Sequence, residues 1–316
     1  MKNNGKLKKT LSKNSKYILL LIMLVFSALV SDKFFTGINI SNLLKQNAAV
    51  GIVALGELVV ILTGGIDLSV GGIVNMTTVI VAMCLRSNMP IPVAVLVALL
   101  SGIAAGIING ILITRLKLIP FIATMATLNI FGGIGLLLST GKQVFYDNNA
   151  FLNLGSSMIW YVPIIAIIWL AIAIILSHLL EHMRPGRYIK GFGGNKEAVR
   201  LSGINVNLVE MSTYVMSGFL CAVGGIIMAS RLTLGSNSVG NGWELTAIAS
   251  VVIGGGSMSG GVGTVSGTII GTIVMGLITN VMNLLNVSIY LQQIIKGIII
   301  VAAVYGSAAR KKENTL

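Results

Sequence analysis

Residues 91–114 read IPVAVLVALLSGIAAGIINGILIT, a stretch without one charged side chain. A bilayer's hydrocarbon core takes about 20 apolar residues to cross as a helix. A helix on a soluble core would keep one polar, charged face. This one has no such face, so it reads as a membrane span, and the rest of the chain is tested against it.

The composition agrees. Of 316 residues, 55% are hydrophobic and only 10% charged, and the mean hydropathy is +0.92. A soluble domain carries about a quarter charged residues. Similar runs are expected near 16–35, 46–63, 68–86, 91–114, 119–140, 159–181, 208–230, 243–257, 262–284 and 288–307. The fold class is therefore an all-α membrane protein of about ten spans. The segment near 243–257 is short and Gly-rich, which suits half a helix or a re-entrant piece. The apolar run from Tyr17 to Val30 has no small-x-small cleavage site after it and reads as a retained first span.

Charge orients these spans. The net charge is +13, gathered at 2–16, 184–200 and 310–312. Clusters beside apolar runs anchor cytoplasmic loops; they are not a nucleic-acid surface. Alternation from a cytoplasmic N-terminus puts Arg115, Lys117, the 182–207 loop and the C-terminal tail inside. The loops near 36–45, 87–90, 141–158 and 231–242, sparse in Lys and Arg, fall outside. The chain reads as a single transmembrane domain over 1–316, with cytoplasmic tails at 1–15 and 308–316.

Glycine marks where helices meet. Gly102, Gly106 and Gly110, and again Gly263, Gly267 and Gly271, recur every fourth residue, a spacing that lets backbones approach. Two Gly-interrupted segments also echo each other. Val59-Val60-Ile61 leads into Gly64-Gly65-Ile66-Asp67-Leu68-Ser69, and Val251-Val252-Ile253 leads into Gly254-Gly255-Gly256-Ser257. Paired interruptions of this kind point to a transporter.

No energy-yielding chemistry is written in the chain. The nearest approach to a phosphate-cradling loop, Gly135 to Gly141-Lys142, has the wrong spacing and is followed by Gln143. No G-x-S-x-G, H-E-x-x-H or dinucleotide fingerprint occurs, so an enzyme is not expected. Cys84 and Cys221 lie in apolar runs as packing residues. His178 and His182 lack further ligands for a metal, and no cofactor is expected in this chain.

Polar groups inside the spans are the candidate path. Glu57, Asp67, Glu244 and Lys296 lie in or beside spans, where a central charge costs about 3 kcal/mol or more. They form a proton or ion relay, or else pair structurally and line a hydrophilic route. Asn75, Asn109, Thr124, Thr127, Asn129, Gln292 and Gln293 are neutral donors and acceptors suited to a hydroxyl-rich solute. In the basic loop, Asn195 is placed to cap a short helix through Ala198, Val199 and Leu201, stopped at Gly203. Such a helix suits docking onto a cytosolic protein.

Four stretches resemble one family: Leu62-Thr63-Gly64-Gly65-Ile66-Asp67-Leu68-Ser69-Val70-Gly71, Pro120-Phe121-Ile122-Ala123-Thr124-Met125-Ala126-Thr127, the Gly186 to Ile204 loop, and Glu244 to Gly255. The family is the membrane permease of bacterial ABC importers for monosaccharides, the ribose-type branch. The resemblance implies a ten-helix permease in the cytoplasmic (inner) membrane, paired with a second copy or paralogue. It implies a cytosolic ATPase subunit that holds ATP and magnesium, an extracytoplasmic sugar-binding protein, and a small pentose or hexose as solute. It makes Gly194, Asn195, Glu197, Ala198, Arg200, Leu201, Ser202 and Gly203 the element that meets the ATPase. Nucleoside and branched-chain amino-acid permeases, or an ion-coupled secondary transporter, are the alternative readings.

Overall fold

The computed structural model describes the backbone of residues 2–314 and the side chains of residues 16–305. The tails expected at 1–15 and 308–316 lie outside the described side chains. The described chain is almost entirely helical: α1 (Lys2–Val30), α2 (Gly37–Leu62), α3 (Val70–Arg86), α4 (Ile91–Thr114), α5 (Pro120–Ser139), α6 (Asn149–Ser156), α7 (Ile164–His182), α8 (Arg184–Gly194), α9 (Lys196–Leu201), α10 (Val206–Leu232), α11 (Trp243–Ile253), α12 (Val265–Leu284) and α13 (Ile289–Asn314). Four two-residue strands pair antiparallel, β1 (Val144–Phe145) with β4 (Leu234–Gly235) and β2 (Met158–Ile159) with β3 (Val162–Pro163).

Six described helices, α2, α4, α5, α7, α10 and α12, are long and apolar enough to cross a membrane. Shorter apolar helices lie at Lys16–Val30, Val70–Arg86, Trp243–Ile253 and Ile289–Tyr305. The helices differ in what they face. From Ala48 to Leu62 every residue of α2 but Val50 is buried, and α7, α10, α11 and α12 pack around it. In contrast, α4, α5 and α7 bury one stripe and turn Leu96, Leu100, Ile122, Leu137, Leu170 and Ile175 outward. An apolar exterior around a polar-seamed interior is the arrangement that lipid requires. This is a multi-pass membrane protein.

Both glycine stripes are helix contacts. A β-carbon on Gly102 or Gly106 would strike the backbone of Gly218 or Tyr214 in α10; on Gly267 or Gly271 it would strike the Gly254 or Ser250 carbonyl at α11. Close backbone approach, not side-chain interlock, joins these pairs.

Element boundaries depart from the sequence reading where a local cap or tertiary bond decides. The loop expected at 36–45 is the first part of α2. Thr36 caps it by accepting from the Asn39 N–H, and Asn39 exchanges side-chain hydrogen bonds with Asn280 of α12 at 3.1 and 2.7 Å. The 141–158 loop holds β1 and α6, capped by Asn148. The span expected from 159 begins at Ile164, after the β2–β3 hairpin. The 182–207 loop contains two helices, where one short helix was expected.

The bundle has two distinct ends. Residues 207 and 231, near the termini of α10, lie about 36 Å apart at 1.5 Å per helical residue. At one end Lys117 donates to Asn207 (3.2 Å) and Gly261 N–H donates to the Leu62 carbonyl (2.9 Å). At the other, β1 pairs with β4, and Tyr146 and Ser230 hydroxyls tie α10 to the 141–156 segment through the Ala229 and Phe151 carbonyls.

Candidate functional site

After the exposed Gly64 the chain turns back into the bundle. Residues 63–69 form a break between α2 and α3, and Asp67 at its centre is wholly buried. Its Oδ1 accepts from the Ser69 N–H (3.0 Å) and Ser69 Oγ (2.6 Å), and its Oδ2 accepts from Ser217 Oγ of α10 (2.8 Å). Asn109 of α4 donates to Ser69 Oγ (2.7 Å), and Thr127 of α5 donates to Asn109 Oδ1 (2.7 Å). Thr124 donates to the Ile66 carbonyl (3.2 Å), and Asp67 N–H donates to Glu57 Oε1 (3.2 Å). Glu57 Oε2 and the Tyr214 hydroxyl have no hydrogen-bond partner.

Glu57, Asp67, Asn109, Thr124 and Thr127 are thus brought together, and all five are closed to solvent. Apart from Glu57 Oε2, their side-chain hydrogen bonds run to one another, to Ser217, to their own helices and to the break. A connected polar chain in a low-dielectric interior ties its helices into one arrangement. Ser69, Ser217 and Tyr214 complete the cluster and carried no signal in the sequence, since single hydroxyls are ordinary in membrane helices.

A second group lines a cavity of about 600 Å³ between α2, α10, α11, α12 and α13. Gln292, Gln293 and Lys296, three of the expected path residues, line it, joined by Gln46, Asn47, Arg231, Asn241, Trp243 and Thr246. The Gln292 amide is held by donation to Asn283 Oδ1 and the Val287 carbonyl, both at 2.9 Å. The cavity's size suits a small ligand, and its amides, cations and one indole are the groups that grip hydroxyls. Gln46 and Asn47 fall at the start of the span expected at 46–63, though within α2, and Arg231 lies near the end of α10; polar residues at such places read as interfacial.

The remaining candidates sit elsewhere. Glu244 follows Trp243 but turns from the cavity onto Gly71 of α3. Asn75 donates to the Asn237 carbonyl and ties α3 to the 233–242 segment. Asn129 lies on the exposed face of α5, its amide returned to the Met125 carbonyl (3.0 Å).

The basic loop forms a helical hairpin. α8 tolerates Pro185 in its first turn, where the missing N–H costs nothing, and anchors by burying Ile189 and Phe192. Asn195 Oδ1 accepts from the Ala198 N–H (3.0 Å) and starts α9; Gly203, at φ +78°, follows its end. Val199 points into the protein, while Leu201 is 74% exposed. Glu197 and Arg200 form an exposed ion pair at 2.5 Å. The Arg200 hydrogen bonds hold the Glu197 carboxyl below its ordinary range, so the pair stays ionised near neutrality.

A family model described as branched-chain amino acid transport system / permease component matches residues 39–304. The chain belongs to this permease family. Its relatives include the ribose import permease protein RbsC of Haemophilus influenzae, 37% identical over 311 residues and 96% of each chain. The ribose import permease protein RbsC of Bacillus subtilis is 38% identical over 296 residues, 93% of this chain and 92% of the relative. The D-allose transport system permease protein AlsC of Escherichia coli is 35% identical over 289 residues, 91% of this chain and 89% of the relative. No solved structure matches.

The matched permease region takes in the buried network, the cavity and the α8–α9 hairpin together. The family likeness therefore covers all three of the features that geometry singles out.

Proposed function

We propose that the chain is the membrane permease subunit of an ABC importer for a small sugar of the pentose or hexose class. It carries the solute path and takes its energy from a separate cytosolic ATPase that holds ATP and magnesium. The observation that carries this reading is the near full-length likeness to sugar permeases, running through both the cavity and the α8–α9 hairpin. The relatives named for ribose and D-allose favour a sugar over the branched-chain amino acids of the family description.

The six long and four shorter apolar helices support ten crossings with both termini cytoplasmic. Loop contacts support the same sidedness. The pair 117–207 joins two segments that charge places inside, the pair 62–261 joins two turns that the same alternation of spans puts on that side, and β1–β4 joins two segments, sparse in Lys and Arg, that fall outside. With this topology the cavity lies toward the outer half of the membrane, where a binding protein would release solute. The exposed α9, with Gly194, Asn195, Glu197, Ala198, Arg200, Leu201, Ser202 and Gly203 in and around it, faces the ATPase. A second copy or paralogue completes the path.

Reconstitution into liposomes tests energy coupling. The chain alone should accumulate no sugar under a proton or sodium gradient, and ATP-driven uptake should appear only with the ATPase and binding protein present. Gradient-driven uptake by the chain alone would establish a secondary transporter instead.

A further inference from the structure

Three segments far apart in sequence meet at one point with no side chain between them. They are the last turn of α2, the end of α8 and the 254–264 turn between α11 and α12. Gly261 N–H donates to the Leu62 carbonyl at 2.9 Å. A β-carbon on Gly193 would overlap that carbonyl and the Gly261 nitrogen. Gly260, at φ +87°, would place a β-carbon 2.8 Å from Gly193 Cα and 3.0 Å from the Gly64 nitrogen. Gly64 in turn rests against the Ser259 backbone.

Contacts between side chains yield by changing rotamer; contacts between backbones have no such slack. What each partner carries gives the joint its meaning. The α2 side leads into the break that holds Asp67 and Ser69, tied to α4, α5 and α10. The 254–264 turn joins α11 and α12, which supply Trp243, Thr246 and Thr272 to the cavity wall. The α8 side leads directly into α9.

We propose that Gly193 is a positioning residue of transport: a side-chain-free joint through which movement of the α8–α9 hairpin reaches both helix breaks, and so the network and the cavity wall, in one step. The proposal rests on the docking role given above to α9. Gly133 of α5 provides the contrast, since a β-carbon there meets nothing within 4 Å.

The test compares Gly193→Ala with Gly133→Ala in the complete importer, reading ATP hydrolysis, subunit co-purification and sugar uptake. ATP-driven uptake by the unmutated importer and by Gly133→Ala alike shows that the permease reading holds and leaves only the joint on trial. Gly193→Ala should retain the ATPase subunit and its basal hydrolysis while uptake falls about tenfold or more, the size of a lost coupling interaction. Uptake equal to that of Gly133→Ala would overturn the proposal. Should Gly193→Ala fail to reach the membrane, spin labels at Arg187→Cys and Ser259→Cys decide. A rigid joint keeps their separation constant between nucleotide-free and ATP-bound complexes, and a change on ATP binding would overturn it.

Discussion

Asp67 satisfies both carboxylate oxygens with hydroxyl and amide donors, and the donor from α10 is the one that reaches across the bundle. Ser217 Oγ sits 2.8 Å from Asp67 Oδ2 with both residues wholly buried. Removing it leaves a buried acceptor short of a partner, at a cost of about 1–3 kcal/mol. Ser217→Ala should therefore lower the thermal midpoint in nanodiscs, while Ser212→Ala, whose hydroxyl bonds only its own helix at Val209, should stay within about 0.5 kcal/mol of the parent. Equal midpoints for the two variants would remove Ser217 from the network. Glu57 and Asp67 stood out in the sequence because a carboxylate among apolar residues is costly. Ser217 did not, because its importance comes from a partner 150 residues away.

Short helices show the opposite balance. The six residues of α9 cannot hold a helix by propensity alone, yet this element was legible, since a cap and a glycine stop are local signals. Asn195→Ala removes the acceptor for the Ala198 N–H and costs about 1 kcal/mol. Backbone amides of 198–201 should then exchange hydrogen faster, and Asn195→Asp, which keeps an acceptor, should restore protection. Unchanged exchange in the alanine variant would show that the cap contributes nothing. α8 was hidden because Arg184-Pro185-Gly186 reads as a turn and Gly191, Gly193 and Gly194 are poor helix formers. Its helicity is imposed by burying Ile189 and Phe192. In the same way the cavity was only half visible: Gln292, Gln293 and Lys296 lie within an apolar run, whereas Gln46, Asn47 and Arg231 stand at the edges of the apolar runs expected from hydropathy.

The molecule as a whole has two faces, and its topology is open to direct measurement. Cys84 and Cys221 are both buried, which leaves an aqueous background suited to added thiols. A membrane-impermeant maleimide applied to intact cells should label Lys142→Cys and spare Lys117→Cys, and inverted vesicles should reverse the pattern. Labelling of both from one side would break the ten-span arrangement. The apolar helices were legible in hydropathy; the burial of the 63–69 break and the joining of loops at each end were not, since both depend on contacts between distant segments.

The burial of α2 also sets a schedule for making the protein. Its Glu57 and the adjoining Asp67 are synthesised early, but Ser217, which the network needs, follows 150 residues later. At about 5–20 residues per second the ribosome takes roughly 8–30 s to deliver it. Until α10 arrives, the helix destined for the centre has lipid or translocon for a neighbour and two carboxylates without their full shelter. The nascent chain therefore passes through an interval in which these carboxylates lack Ser217, so its exposure to loss during synthesis is separate from the stability of the finished fold.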